Sequence, residues 1–360
     1  MSFSPEDLRA AVAAGVITEA QAASVTALAN DRAGKRAAMP AEDEPFEFFR
    51  GFSEIFVSIG LVILLSGIAA MLAWFGGVAI MMVLPLVCAA ICWWWAQYFT
   101  LKRRMNLPSM VLALAFGGGI YLSAITALGQ AGLSLRSVVV VAFVLSAVGM
   151  ALWYRQFRLP FSAFILGLFA LGAIYTLTAS VDSLGGFVAG NRNGMGGFFD
   201  LRESPQFATA TLAFGIGAFL AAMWFDIRDP YRLGRHAATA FWLHMLAAPA
   251  LVNTVALTLY NTGGAGGIGL LIVALLVITV LALVIDRRSF LTAAIAYIAL
   301  VIAWVIGDQS NFGTWTFILI ALGGLITAIG TWWVQLRAGL MRILPDFPGK
   351  SRLPPYGSTE

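Results

Sequence analysis

His244, Asn253, Tyr121 and Ser123 are polar side chains set within otherwise apolar stretches of chain, where they would be placed to hold a solute. An imidazole, a carboxamide and two hydroxyls supply donors and acceptors without a fixed charge. With no mid-span carboxylate beside them, the solute expected is a small neutral or amphiphilic one. Beside them stand Gly117, Gly118 and Gly119 in one segment and Pro249 in the other. Three glycines weaken a helix and a proline removes a backbone donor, so both segments are expected to kink or break there. Freed carbonyls at membrane depth persist only against protein or a wet cavity, which would gather the four polar residues around a central pocket. The plainer alternative is close helix packing at the glycines and a simple hydrogen bond from His244 to a neighbour.

Groups suited to catalysis or metal binding are few. The histidines are His236 and His244, and the cysteines are Cys88 and Cys92. Two cysteines four residues apart share a helical face, but no further thiolates or imidazoles accompany them. They are expected to pack as small side chains, so neither a metal nor a cofactor is assigned. Glu54, Asp226, Asp286 and Asp308 fall at the ends of apolar segments, where each is expected to reach the interface. The absence of a mid-span carboxylate argues against a proton or sodium pump built on one. A membrane hydrolase or transferase would collect His, carboxylate and nucleophile at one depth, so the chain is not assigned as an enzyme. The discriminating contact would be Asp226 or Asp229 against His236.

Membrane helices must position these residues. The 360-residue chain is 60% hydrophobic and 11% charged, far too apolar for a soluble domain of this size. A span needs about 20 mostly uncharged residues to cross roughly 30 Å of hydrocarbon. Such spans are expected near 53–75, 78–100, 108–128, 136–154, 160–180, 207–225, 237–259, 267–285, 290–307 and 313–335. The expected fold is therefore all-α, a polytopic bundle of about ten transmembrane helices filling 51–335. Ten spans leave both termini on one side, which then carries 19 Lys and Arg against three opposite, Arg136, Arg192 and Arg202. The positive-inside rule makes that side the cytoplasm. The net charge of +4 is scattered over loop ends rather than gathered on one face, so no nucleic-acid partner is implied and the lipid bilayer is the expected one. Trp93, Trp94, Trp95, Tyr98, Trp153, Tyr154, Trp224, Trp332 and Trp333 fall near cytoplasmic span ends and are expected to form an interfacial belt.

Residues 1–30 read as a cytoplasmic helical hairpin rather than a signal peptide. Ser4 and Pro5 start one helix, Gly15 ends it, and Thr18 with Gln21 forms a capping box for the next. So small a unit is expected to dock on the membrane domain or a protein partner. Residues 31–50 form an acidic linker containing Glu42, Asp43, Glu44 and Glu47. The glycine-rich connection Val181–Gln206 reads as a flexible external loop. Residues 336–360 are a basic, proline-rich cytoplasmic tail whose first part is expected to lie on the lipid surface. Displacing the chain by about 130 residues lays spans 2–5 on spans 6–9, Gly119 on Pro249 and Ser123 on Asn253. A four-span parallel repeat would place the pocket at its interface.

The segment GVITEAQA (Gly15 to Ala22) and the run FWLHMLAAP (Phe241 to Pro249) after DPYRLGRH resemble uncharacterised bacterial multi-pass membrane proteins of the domain-of-unknown-function type. That resemblance implies a bacterial inner membrane and brings no activity, substrate or oligomeric state. A permease-like carrier or channel is the leading expectation. A sensor, scaffold or assembly factor acting through the hairpin comes second, and a lipid-modifying enzyme last.

Overall fold

The computed structural model describes residues 5–32, 51–179, 198–306 except Tyr231 and Leu233, and 312–356. Its elements are α1 (Pro5–Ala13), α2 (Glu19–Arg32), α3 (Phe52–Ala96), a π-helical turn (Gln97–Lys102), α4 (Asn106–Gly129), α5 (Leu135–Phe157) and α6 (Pro160–Thr178). They continue with α7 (Pro205–Asp226), α8 (Arg235–Thr262), α9 (Gly264–Ile285), α10 (Ser289–Ile306), α11 (Phe312–Thr331) and α12 (Trp333–Ile343). Eight helical stretches are long and apolar enough to cross a membrane among the described residues, or nine if the pair α11 and α12, bent by 68°, counts as one. The protein is an all-α polytopic helical bundle.

Two of those stretches come from α3. A straight helix of its 45 residues would be about 67 Å long. Yet Glu54 in its first turn accepts hydrogen bonds from the backbone N–H groups of Asn106 (3.0 Å) and Leu107 (3.1 Å), just beyond its far end. The segment must double back between Phe75 and Val83, giving the spans Phe52–Phe75 and Val83–Lys102. Glu54 thereby satisfies two of the orphan donors that begin α4. The expectation that Glu54 faces the interface is corrected: it is 5% exposed.

The expected breaks at Gly117–Gly119 and Pro249 do not occur, since α4 and α8 run through them unbroken. A Cβ on Gly117 would stand 2.7 Å from the Phe169 ring, and one on Gly119 would stand 2.6 Å from the Pro85 carbonyl oxygen. These glycines thin α4 where α3 and α6 press on it. Gly118 has open space beside it and plays no such part.

Helix α8 lies at the centre, packed on α6, α7, α9 and α10. Of its most apolar 18 residues, 61% are buried, against 12–33% for the other spans. The remaining helices leave broad apolar faces exposed, Leu276 at 60% and Leu220 at 61% among them, as lipid contact requires.

The chain repeats its geometry at a spacing of 128 residues. Helices α5 and α9 end at Phe157 and Ile285. Non-glycine residues with left-handed backbone recur at the same spacing, Arg104 with Arg232 and Arg158 with Asp286. In this register Gly119 matches Ala247, Tyr121 matches Pro249 and Ser123 matches Leu251, which shifts the pairing expected from sequence by two residues.

At the chain's start, Thr18 N–H donates to Gln21 Oε1 (2.9 Å) and Gln21 N–H to Thr18 Oγ1 (3.2 Å), completing the expected capping box. Most of the acidic linker and residues 180–197 of the long loop lie outside the described residues. Phe198 and Phe199, at that loop's end, pack on Phe207 (5.3 and 5.6 Å between centroids).

Candidate functional site

The four residues expected around one pocket are not brought together. Tyr121 packs against Phe143 (4.7 Å) and Phe169 (6.2 Å) between α4, α5 and α6. The Ser123 hydroxyl is buried without a hydrogen-bond partner among the described residues. Asn253 accepts a hydrogen bond from the Tyr297 hydroxyl of α10 through its side-chain oxygen. His244 lies nine residues earlier on α8, about 13 Å along the axis. None of the four lines either of the two described cavities.

The histidine belongs instead to a buried ionic cluster. Its Nε2 stands 2.8 Å from Asp226 Oδ2 at the end of α7. Arg287, in the turn between α9 and α10, clasps the same carboxylate through Nε (3.2 Å to Oδ2) and Nη2. His244 and Arg287 are fully buried and Asp226 is 6% exposed, so Asp226 does not reach the interface as expected. With Nε2–H donating to Asp226, His244 Nδ1 is left without a partner among the described residues, which suits an unprotonated ring nitrogen. The rings of Phe219 and Phe290 meet the imidazole edge-on at 5.6 and 5.7 Å and hold its plane. His236, the other histidine, stacks on Phe225, so the Asp226 contact reaches the histidine that was not its expected partner.

A second cluster adjoins the first. Asp286 begins the same turn, pairs with Arg232 (3.0 Å) and accepts from the Trp333 indole N–H (2.7 Å). Arg337 donates to the Leu283 carbonyl (3.0 Å) and to the carbonyls of Pro354 (2.6 Å) and Pro355 (2.8 Å). At 4% exposure Arg337 ties the proline-rich tail to the end of α9 rather than lying on lipid, correcting the expected surface role. Trp333 and Trp153 are likewise core residues, 2% and 0% exposed, whereas Trp94, Trp224 and Trp332 are at least half exposed as the belt predicts. Asp308 lies outside the described residues.

The 128-residue register shows what is peculiar to this region. Positions equivalent to Asp226, His244 and Arg287 hold Tyr98, Phe116 and Leu159. Phe116 there packs with Trp93 (5.5 Å) and Trp153 (4.8 Å) in an aromatic cluster. The triplet α4, α5 and α6 is thus sealed by rings at this level, and its counterpart α8, α9 and α10 is joined to α7 by charge. Sequence reasoning singled out His244 but missed its partners, because Asp226 and Arg287 stand at span ends. The available signal was a polar residue at three positions that are apolar or aromatic in the other half.

Arg232 also links the clusters to the larger cavity. That cavity, about 990 Å³, is lined by Arg104, Arg158, Arg232 and Arg235, by the start of α4 and α6, and by Thr18, Glu19, Ala20 and Ala23 of α2. It therefore lies between equivalent turns of the two triplets, with the hairpin along one side. Its lining also includes the apolar side chains of Met110, Phe157, Phe161 and Trp242.

Fold and site together define a multi-pass helical membrane protein with a polar basin at its basic end. Comparison with protein-family models, with curated proteins and with solved structures finds no match.

Proposed function

We propose that this chain is a permease-like protein of the bacterial inner membrane, with both termini in the cytoplasm, carrying a small amphiphilic solute. The observation that supports this reading is the position of the basin between two helix triplets that share one geometry at a 128-residue spacing. Duplicated four-span units related by an axis along the membrane normal would produce that spacing, and parallel-repeat transporters place their sites at such an interface. The two halves contribute Arg104 and Arg232 from matching turns, so movement of one triplet against the other would change the basin's shape. The Asp226, His244 and Arg287 cluster would then tie α7, α8 and the α9–α10 turn into one moving body. A sensor or assembly role is the second reading, favoured by Val16 and Val25 of the hairpin, which are 75% and 48% exposed.

Proteoliposomes loaded with an isotopically labelled pool of bacterial metabolites and diluted into label-free buffer test the carrier reading. At least one solute is expected to leave faster than from protein-free vesicles, and faster than with Ala238→Trp, which places an indole in the basin. Identical retained pools in all three preparations would overturn transport and leave the sensor reading.

A further inference from the structure

The basin has the charge and shape of a receptor for one ligand chemistry. Four guanidiniums, from three separate connections, line it, and Glu19 at the hairpin is the one carboxylate among the lining residues. The nearby acids are already engaged. Glu54 holds the first N–H groups of α4, Asp229 accepts from Gly234 N–H (2.7 Å) at the start of α8, and Asp286 pairs with Arg232. Arg104, Arg158 and Arg235 are exposed and meet no acid among the described residues. Positive-inside topology requires basic residues at this end, but not that residues from three connections converge on one cavity. Arg104, Arg158 and Arg232 also share a left-handed backbone, with φ of 53°, 48° and 58°. For non-glycine residues that conformation is uncommon and needs surrounding structure to hold it.

From this arrangement we infer that the basin binds a phosphate-bearing amphiphile, its oxyanion held by Arg104, Arg158 and Arg235 over the fixed Arg232. Guanidinium forks match phosphate oxygens in pairs, which gives such a set preference for phosphate over a monatomic anion. Glu54 takes the N–H groups of Asn106 and Leu107, and Asp229 those of Gly234 and Ala237, so the arginine side chains are the main donors to the basin. A cavity of about 990 Å³ is far larger than a phosphate group alone. The wall of Phe157, Phe161 and Trp242 would receive an apolar body attached to it; Phe161 and Trp242 meet edge-on at 4.7 Å. The phosphate could belong to a membrane phospholipid or to a soluble phosphate ester. This inference shares the basin with the carrier reading but does not need flux: binding without transport would sink that reading and keep this one.

The test is thermal unfolding of the full chain in two arms. In a neutral detergent, pyrophosphate is compared with sodium chloride at equal ionic strength. In nanodiscs, phosphatidylcholine, whose phosphate is already neutralised by its own choline cation, is compared with the same lipid containing phosphatidylglycerol, whose phosphate is free to pair with arginine. The wild type is expected to melt a few degrees higher with at least one phosphate source, since a ligand that binds only the folded state stabilises it. A shift with pyrophosphate assigns a soluble source, and a shift with phosphatidylglycerol alone assigns a lipid. Arg158→Gln/Arg235→Gln should abolish the shift, whereas Arg155→Gln, an exposed arginine outside the basin, should retain it. No shift from either source, or an equal shift in the double variant, would overturn the inference.

Discussion

Asp226→Ala is expected to destabilise the protein by about 3–5 kcal/mol, the usual result of removing one partner from a buried ion pair. The carboxylate is the only acid that meets Arg287 among the described ion pairs, and Arg287 is fully buried. Without Asp226 the guanidinium keeps one 3.4 Å contact, to the Ala237 carbonyl, and His244 loses the acceptor of its Nε2–H. The charge would then be stranded between α7, α8 and the start of α10. Denaturant unfolding in detergent checks the prediction. The double variant Asp226→Leu/Arg287→Met should recover much of the loss, because exchanging a whole buried pair for apolar residues is often neutral or stabilising. Wild-type stability for Asp226→Ala would show that the pair carries no buried charge.

Gly119→Ala is expected to cost about 1–3 kcal/mol, as overpacking does when neighbours cannot yield. The new methyl would meet the Pro85 carbonyl oxygen at 2.6 Å and Ala89 Cβ at 3.1 Å, so α3 and α4 would have to separate. Its neighbour supplies the control. A methyl group on Gly118 would meet nothing within 4 Å, and Gly118→Ala should gain about 0.5–1 kcal/mol from the better helix former. Melting temperatures of the two variants should therefore move in opposite directions. Equal shifts would mean that backbone propensity, not the contact with α3, governs this stretch.

Composition and span length made the helical membrane architecture legible, because lipid imposes them on any crossing segment. The capping box at Thr18 and Gln21 was also readable, since both partners lie within one turn. The glycines of α4 were misleading for a physical reason. Sequence shows the lost propensity but not the Pro85 carbonyl that only a glycine admits. The pocket expected around Tyr121 and His244 failed similarly, because a shared depth does not ensure a shared neighbour: Tyr121 packs within the first triplet and His244 faces α7. Asp226 and Arg287 are 61 residues apart, and each resembled an ordinary interfacial charge until the turn between α9 and α10 brought them into contact. The repeat was visible, but its register depended on the left-handed turns, which sequence does not display.

Both the carrier reading and the phosphate site require a basin that lies between the two triplets and opens to the cytoplasm. Labelling of Ala238→Cys by a membrane-impermeant maleimide, in a Cys88→Ala/Cys92→Ala background, tests that most directly. Inside-out vesicles should label rapidly and sealed right-side-out vesicles should not, with pyrophosphate or phosphatidylglycerol slowing the reaction as the site fills. Labelling from the outer face, or none even in detergent, would contradict that placement of the basin.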